Sequence, residues 1–246
     1  MQWRLIRTSS AKQMIAYSLY VGLVVLGLLV PFPGIATIRT IEDLIYTRLY
    51  GYNDHGANIV ALFYFWLVFF GYIYVQMVKL DREWSVDVYY CLIRYGRSLA
   101  WFLHDMKHAG MRAAVFLSGL IVVCMLIGVC RGLSWTPSGY TELTITQLLY
   151  HVLINGWLQI MNYELFLLIL HWLSPRADVR FAGLIWLVIL STPLFAHMYV
   201  PSGLNALGQI AHGWADMLPI TGLLVVWMII QCIVASIVFQ KLPPAT

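Results

Sequence analysis

The chain has 246 residues, of which 61% are hydrophobic and 11% charged, with a formal net charge of +4. A soluble domain carries about 25% charged residues, so this composition excludes an ordinary soluble protein. The positive charge does not indicate nucleic-acid binding, because the basic residues follow a membrane topology. The connections between the apolar stretches are short, which predicts a single transmembrane domain over residues 1–246.

Six stretches are long and apolar enough to cross a bilayer, whose core is about 30 Å thick and requires roughly 20 residues of helix. One formally charged side chain, Glu164, lies within them. We therefore predict an all-α membrane protein with six transmembrane helices and amphipathic helices at the interfaces. The predicted spans are Met14–Val30, Ile59–Val78, Ala113–Val129, Thr146–Leu173, Phe181–Val200 and Leu218–Phe239.

The distribution of the basic residues predicts the orientation. With the N-terminus in the cytoplasm, only Arg39, Arg48 and Arg131 lie outside, and the other Lys and Arg residues lie inside. The opposite orientation would violate the positive-inside bias. Both termini are thus predicted to be cytoplasmic. No small-residue cleavage site follows the first span, which argues against a cleaved signal peptide.

The first outer connection, Pro31–Asn58, carries apolar residues at helical spacing. These residues are Ile38, Ile41, Ile45 and Leu49. They indicate an amphipathic segment on the outer interface, and the alternative is a loop that caps the bundle.

The last outer connection, Tyr199–Met217, is apolar but broken by Gly and Pro, which favours a short re-entrant or interfacial helix.

The longest inner connection, Lys79–Arg112, is too polar to span the membrane and too aromatic to be a simple solvated loop. The pattern suits two helices against the inner leaflet, with a break near Gly96. Its charged residues are predicted to face the cytosol: Asp87, Arg94, Arg97, Asp105 and Lys107. Two interpretations stay open, an ordinary amphipathic interface helix and a docking surface for a cytoplasmic partner.

The fourth span carries a polar stripe. Gln147, His151, Asn155, Gln159 and Asn162 follow at steps of three or four residues, so they share a stripe of the helix roughly 120° wide. Such side chains in a membrane face protein or water. They either hold helices together by hydrogen bonds or line a substrate pathway. His151, Asn155, Gln159 and Asn162 are the candidate pathway residues.

Glu164 lies about 160° from that stripe on the helical wheel, so it cannot share one narrow path with it. It is the only carboxylate within the predicted spans, which makes it a functional candidate. The alternative is a structural hydrogen bond that braces a neighbouring span on the cytoplasmic half.

Catalytic and nucleotide-binding motifs are missing from the sequence. It contains no G-x-x-x-x-G-K-[ST], G-x-S-x-G or H-E-x-x-H motif, and its four cysteines have no metal-ligand spacing. We therefore predict no catalytic residue, no metal site and no cofactor on this chain.

The six spans, the short basic N-terminal lead and the amphipathic connection between spans two and three resemble an ABC-2-type permease, the membrane subunit of a bacterial ABC exporter. The run from Leu92 to His104 is similar to the R-Y-G-S-R-x-x-W-x-x-x-K pattern of small Gram-positive members. In this chain the S-R order is Arg97-Ser98, and His104 or Lys107 replaces the expected Lys.

The resemblance implies a multi-pass protein of the bacterial cell membrane that is not itself an enzyme. It implies docking of the 79–112 connection on a separate ABC ATPase, which binds ATP and Mg²⁺, and pairing with a second permease copy or a paralogue. Membrane lipids would surround it, and its substrate would be an amphipathic peptide or lipid-like molecule. The implied docking residues are Arg94, Tyr95, Gly96, Arg97 and Trp101. The alternative is a non-transporting immunity or sensor subunit that binds a peptide or lipid.

Overall fold

The structure is a computed structural model that describes residues 2–30, 38–53, 56–84, 98–135, 143–174, 176–195, 201–210 and 212–241. Its α-helices are α1 (Gln2–Leu29), α2 (Ile41–Arg48), α3 (Ile59–Trp84), α4 (Ser98–Cys130), α5 (Ile145–Tyr150), α6 (Gly156–Leu173), α7 (Ala177–Leu190) and α8 (Trp214–Lys241). A π-helical turn, His151–Asn155, joins α5 to α6 without a break. Strands β1 (Tyr52–Asn53) and β2 (Gly56–Ala57) form a small antiparallel hairpin.

Four helical segments of the described chain are long and apolar enough to cross a membrane: Ile59–Leu80, Leu99–Cys130, Ile145–Leu173 and Trp214–Gln240. They coincide with four of the predicted spans, which confirms the helical architecture and agrees with a membrane protein. The first predicted span lies in α1, whose shorter apolar part is Ile15–Leu29. The fifth, predicted over Phe181–Val200, begins in α7, but that helix ends at Leu190 and a 3₁₀ turn, Pro193–Phe195, follows it. Residues 196–200 lie outside the described residues. The count of six spans stays a prediction.

Membrane-length helices that follow one another along the chain alternate in direction. The Tyr20 hydroxyl donates to the Val68 carbonyl and the Tyr64 hydroxyl to the Val24 carbonyl, at 2.6 and 3.0 Å, so α1 and α3 are antiparallel. Helices α6 and α8 run in the same direction, because successive polar residues of α6 bond successive positions of α8. This alternation is what consecutive membrane crossings require.

We call the end of the bundle where α3 ends and α4 begins the connection end, and the opposite end the cap end. Helix α1 begins at the connection end because it runs antiparallel to α3. Phe239, in the last turn of α8, packs on Trp101 in the first turn of α4. The first helix therefore begins, and the last helix ends, at the same end of the bundle. The cytoplasmic position of both termini stays a prediction.

The cap end is closed by α2. Thr40 and Asp43 form a reciprocal capping box that begins this helix, and all its residues except Tyr46 are buried. Ile41 packs against Gly128 near the end of α4. Helix α2 is therefore buried among protein rather than lying on an exposed interface, which corresponds to the predicted alternative of a cap on the bundle.

The chain between α7 and α8 completes the cap. The backbone N–H groups of Leu207 and Gly208 donate to the carbonyls of Leu49 and Tyr50, at 3.0 and 2.9 Å. A Cβ atom on Gly208 would overlap the carbonyl oxygen of Tyr52, so the close approach of the two segments requires glycine there.

Candidate functional site: a charged cavity between four helices

A cavity of about 40 Å³ lies between α3, α4, α6 and α7, in the half of the bundle nearer the connection end. Its volume is sufficient for a few water molecules. The lining combines carboxylates and guanidinium groups with apolar side chains. The lining residues are Ile73, Gln76, Met77, Leu80, Asp105, Met106, Arg112, Glu164, Leu167, Leu168 and Arg180.

Glu164 is the α6 contribution to this cavity. Arg112, Asp105 and Lys79 lie close enough for their charges to act on its carboxylate. Its Oε1 atom is buried and has no hydrogen-bond partner among the described residues, as is true of Gln76 Oε1 and Arg112 Nε. Buried polar atoms are nearly always hydrogen-bonded, often to water. The adjoining cavity has room for water, so this region is a polar chamber within an apolar bundle.

The predicted bracing role of Glu164 has little support in this geometry. Oε1 forms no bond to a neighbouring helix in the part of the chain that the structure describes, and the side chain lines a cavity instead. A carboxylate in such surroundings is stabilised by nearby positive charge and by water rather than by one fixed hydrogen bond.

Asp105 differs from the expectation that it faces the cytosol. Helix α4 begins at Ser98 and continues without interruption into the membrane-spanning part. Trp101, Asp105, Ala109 and Arg112 follow at steps of four, four and three, so they share one face. Trp101 and Ala109 are buried, and that face therefore turns Asp105 towards the bundle, where it lines the cavity.

The predicted docking residues Arg94, Tyr95, Gly96 and Arg97 lie outside the described residues. Trp101 is only 7% exposed. Its ring stacks on that of Trp172, with centroids 6.1 Å apart, and also contacts Phe239. These three aromatic rings join α4, α6 and α8 at the connection end, so the Trp101 side chain is a core residue and not an exposed contact surface.

The predicted stripe on the fourth span is completely buried in its central part. His151, Asn155, Gln159 and Asn162 are each at most 1% exposed. Gln147, the outermost member, forms a capping box with Thr144 at the beginning of α5. The stripe therefore faces protein along its length and not lipid.

The partners of the stripe on α8 are specific. The Asn155 amide bonds His151 Nδ1 at 2.9 Å, and its carbonyl oxygen accepts from the Thr221 hydroxyl at 2.6 Å. Asn162 donates to the Leu224 carbonyl at 3.1 Å and accepts from Gln231 at 3.3 Å. These contacts match the interpretation in which the stripe holds helices together.

Other stripe-side contacts hold the chain after Pro201 inside the bundle. Gln159 donates to the Pro201 carbonyl. Tyr163 bonds Ser202 at 3.2 Å, and Ser202 donates to the Leu187 carbonyl at 2.7 Å. Tyr163 lies ten residues before Leu173, about 15 Å from the end of α6. Residues 201–210 thus re-enter the bundle close to its middle.

This re-entrant segment is irregular apart from one 3₁₀ turn, Leu207–Gln209. Ser202, Asn205 and Leu207 are at most 3% exposed. Non-helical backbone is tolerated at membrane depth where protein buries it, and that condition is met here. The described part of the segment is buried in the bundle but is not the predicted short helix, and its re-entrant or interfacial position in a membrane stays a prediction.

Sequence reasoning missed the partners of Glu164. Asp105 and Arg112 are separated by seven residues, two helical turns, so a continuous helix places them on one face. The seven-residue spacing could have indicated that Asp105 and Arg112 share one face of a helix. Their charges instead suggest a connection exposed to solvent. No known protein family, curated protein or solved structure matches this chain.

Proposed function

We propose that this protein is the membrane-spanning permease subunit of an ATP-driven ABC exporter in a bacterial cell membrane. It translocates an amphipathic peptide or lipid-like substrate and uses a separate cytoplasmic ATPase. The observation that carries the proposal is that Asp105 and Arg112, at the end of the 79–112 connection, line an intramembrane cavity together with Glu164.

Two helices, α3 and α4, link the 79–112 connection to the interior of the bundle. Helices α3 and α4 lead into and out of residues 85–97, and both line the cavity. Helix α4 has 33 residues, which makes it about 50 Å long, and its other end packs against α2 of the cap. A displacement of the connection by a bound ATPase would move Asp105 and Arg112 relative to Glu164 and would reach the cap.

The cavity lining suits an amphipathic molecule. Charged groups lie beside Met77, Leu80 and Leu168, so one part of a substrate finds polar partners and another finds apolar contact. The cavity of about 40 Å³ is too small for a peptide or a lipid headgroup. Transport therefore requires α3 and α4 to separate from α6 and α7, and the described conformation is a closed one.

The orientation follows from charge. If the connection end is cytoplasmic, the positive-inside bias is satisfied and the ATPase contacts the connection directly. The chain then pairs with a second permease copy or a paralogue, with lipid around both. Its N- and C-termini are on the side of the ATPase.

The test is a charge reversal in the connection. Arg94→Glu with Arg97→Glu should leave membrane insertion intact but abolish co-purification with the ATPase encoded beside this gene, and export with it. Arg176→Glu is a matched control, because Arg176 is exposed at the same end of the bundle, in the α6–α7 turn, where it pairs with Asp178.

The control should keep both ATPase association and export. If the double variant associates with the ATPase and exports substrate as the unmodified protein does, the 79–112 connection is not the docking element. If no ATPase associates even with the unmodified protein, the proposal of a transporter is wrong and the immunity or sensor alternative replaces it.

A further inference from the structure

Two histidines form a close pair on α4. His104 and His108 are one helical turn apart, with 3.2 Å between their Nε2 atoms and 4.5 Å between ring centroids. Both side chains are exposed, whereas Asp105 of the same turn lines the cavity. The pair therefore presents two ring nitrogens to the surroundings of the helix at one point.

We propose that His104 and His108 bind a divalent transition-metal ion, with Zn²⁺ as the reference ion, through their Nε2 atoms. Zinc–nitrogen bonds are about 2.0–2.1 Å long. Two nitrogens 3.2 Å apart on such bonds subtend about 100° at the ion, close to a tetrahedral angle. Histidines at i and i+4 on one helical face are an arrangement that zinc sites use.

The electrostatics around the pair are compatible with a cation. Asp105 lies close enough for its charge to interact with both His104 and His108, and this carboxylate attracts a positive ion. Lys107 is the neighbouring positive charge on the same turn. Because the negative charge of Asp105 and the positive charge of Lys107 oppose each other, metal binding depends mainly on the two ring nitrogens.

The site would be an open one. Within the described residues no group of three His, Cys, Asp or Glu side chains is arranged around a single point. The described residues thus supply two of the ligands, and the remaining coordination positions would be filled by other groups, such as water. Sites with such open positions exchange their ligands readily, whereas structural zinc sites are closed by four protein ligands.

A competing explanation exists for the short separation. One neutral ring donating an N–H to the other ring also brings two nitrogens to about 3 Å. Metal binding displaces that proton, so the two states exclude each other and a titration separates them. The metal site does not depend on the proposed transport function.

The experiment is a Zn²⁺ titration by calorimetry on the full-length, tag-free protein in detergent, with Co²⁺ absorption as a second probe of coordination. We expect one ion per chain, with affinity at least tenfold lower in His104→Gln and in His108→Gln. Amide hydrogen exchange in α4 should slow when Zn²⁺ is added to the unmodified protein and not to either variant. Both substitutions are on exposed side chains, so the fold should be kept, as circular dichroism can verify.

His212→Gln is the matched control, because His212 is exposed and belongs to the opposite end of the bundle. It should bind Zn²⁺ as the unmodified protein does. Equal affinity in the unmodified protein and in a His104→Gln/His108→Gln double variant would overturn the proposal. An equal loss of affinity in the His212→Gln control would do so as well, since binding would then not be specific to the pair.

Discussion

Glu164 of α6 and Arg112 of α4 line the same intramembrane cavity, and Arg112 exerts the largest charge effect on the Glu164 carboxylate. Glu164 lies within the fourth predicted span, whereas Arg112 lies immediately before the third. Arg112 ends the connection that is proposed to contact the ATPase, and Glu164 belongs to the most buried of the apolar helices. In the proposed function, this proximity would couple the binding of an ATPase to the interior of the bundle.

Removing one charge of this pair should harm the protein more than removing both. Arg112→Gln removes a positive charge near the Glu164 carboxylate. The carboxylate must then take up a proton or remain as an uncompensated buried charge, and either outcome costs stability. We expect a loss of roughly 1–3 kcal/mol, with much of it recovered in the Arg112→Gln/Glu164→Gln double variant. Denaturant unfolding in detergent measures each difference. Additive losses would show that the two groups do not interact.

The contacts of Asn155 predict a structural cost. Asn155→Leu takes from His151 Nδ1 its amide partner, and it takes from the Thr221 hydroxyl one of its partners, although Thr221 keeps its bond to the Met217 carbonyl. Because buried polar groups without partners cost about 1–3 kcal/mol, the unfolding free energy should fall by that amount. Ile154→Ala is the comparison variant, since Ile154 is the adjacent residue and is 44% exposed. If both variants behave alike, the stripe does not hold α6 to α8.

Because the cap segments approach each other closely at Gly208, we expect that substitution of this glycine destabilises the protein. Gly208→Ala would place a methyl group against the Tyr52 carbonyl, which cannot move without disturbing the cap. We expect a destabilisation of about 1–3 kcal/mol and faster proteolysis of the cap. Gly22→Ala should be neutral or slightly stabilising, because nothing lies within 4 Å of its Cβ position. Equal stability of the two variants would contradict the described cap.

Sidedness is open to a labelling experiment. In a background without the four native cysteines, a membrane-impermeant reagent applied from outside should modify a cysteine at Asn53 and not one at Ser98. Asn53 belongs to the cap hairpin and Ser98 begins α4 at the connection end. The reverse pattern would place the connection outside and would exclude its contact with a cytoplasmic ATPase.

The helices were predictable from the sequence because hydropathy and helical period are local properties. The predicted second span begins at Ile59, where α3 begins, and the fourth ends at Leu173, where α6 ends. The third span was predicted from Ala113, whereas α4 begins at Ser98. The charges of Asp105 and Arg112 suggest a solvated segment, but the helix continues through them and both side chains line the cavity that they share with Glu164.

The site itself could be predicted only in part. The single charge of Glu164 and the helical period of the stripe are visible in the sequence, and the stripe is indeed buried as one face. The partners come from distant parts of the chain. Pro201 and Ser202 are about 40 residues from Gln159 and Tyr163, and no local pattern specifies that the chain returns there. Such pairings depend on how the helices pack.

The most direct test of the central claim is the distance between α4 and α7 at the connection end during ATP binding. Spin labels at cysteines replacing Lys107 and Ala177, both exposed, report this distance by pulsed electron resonance in the complex with the neighbouring ATPase. The account predicts a distance change of several ångströms between nucleotide-free and ATP-bound complexes, and none when nucleotide is added without the ATPase. A distance that stays constant while the complex hydrolyses ATP would contradict the claim that the connection opens the cavity.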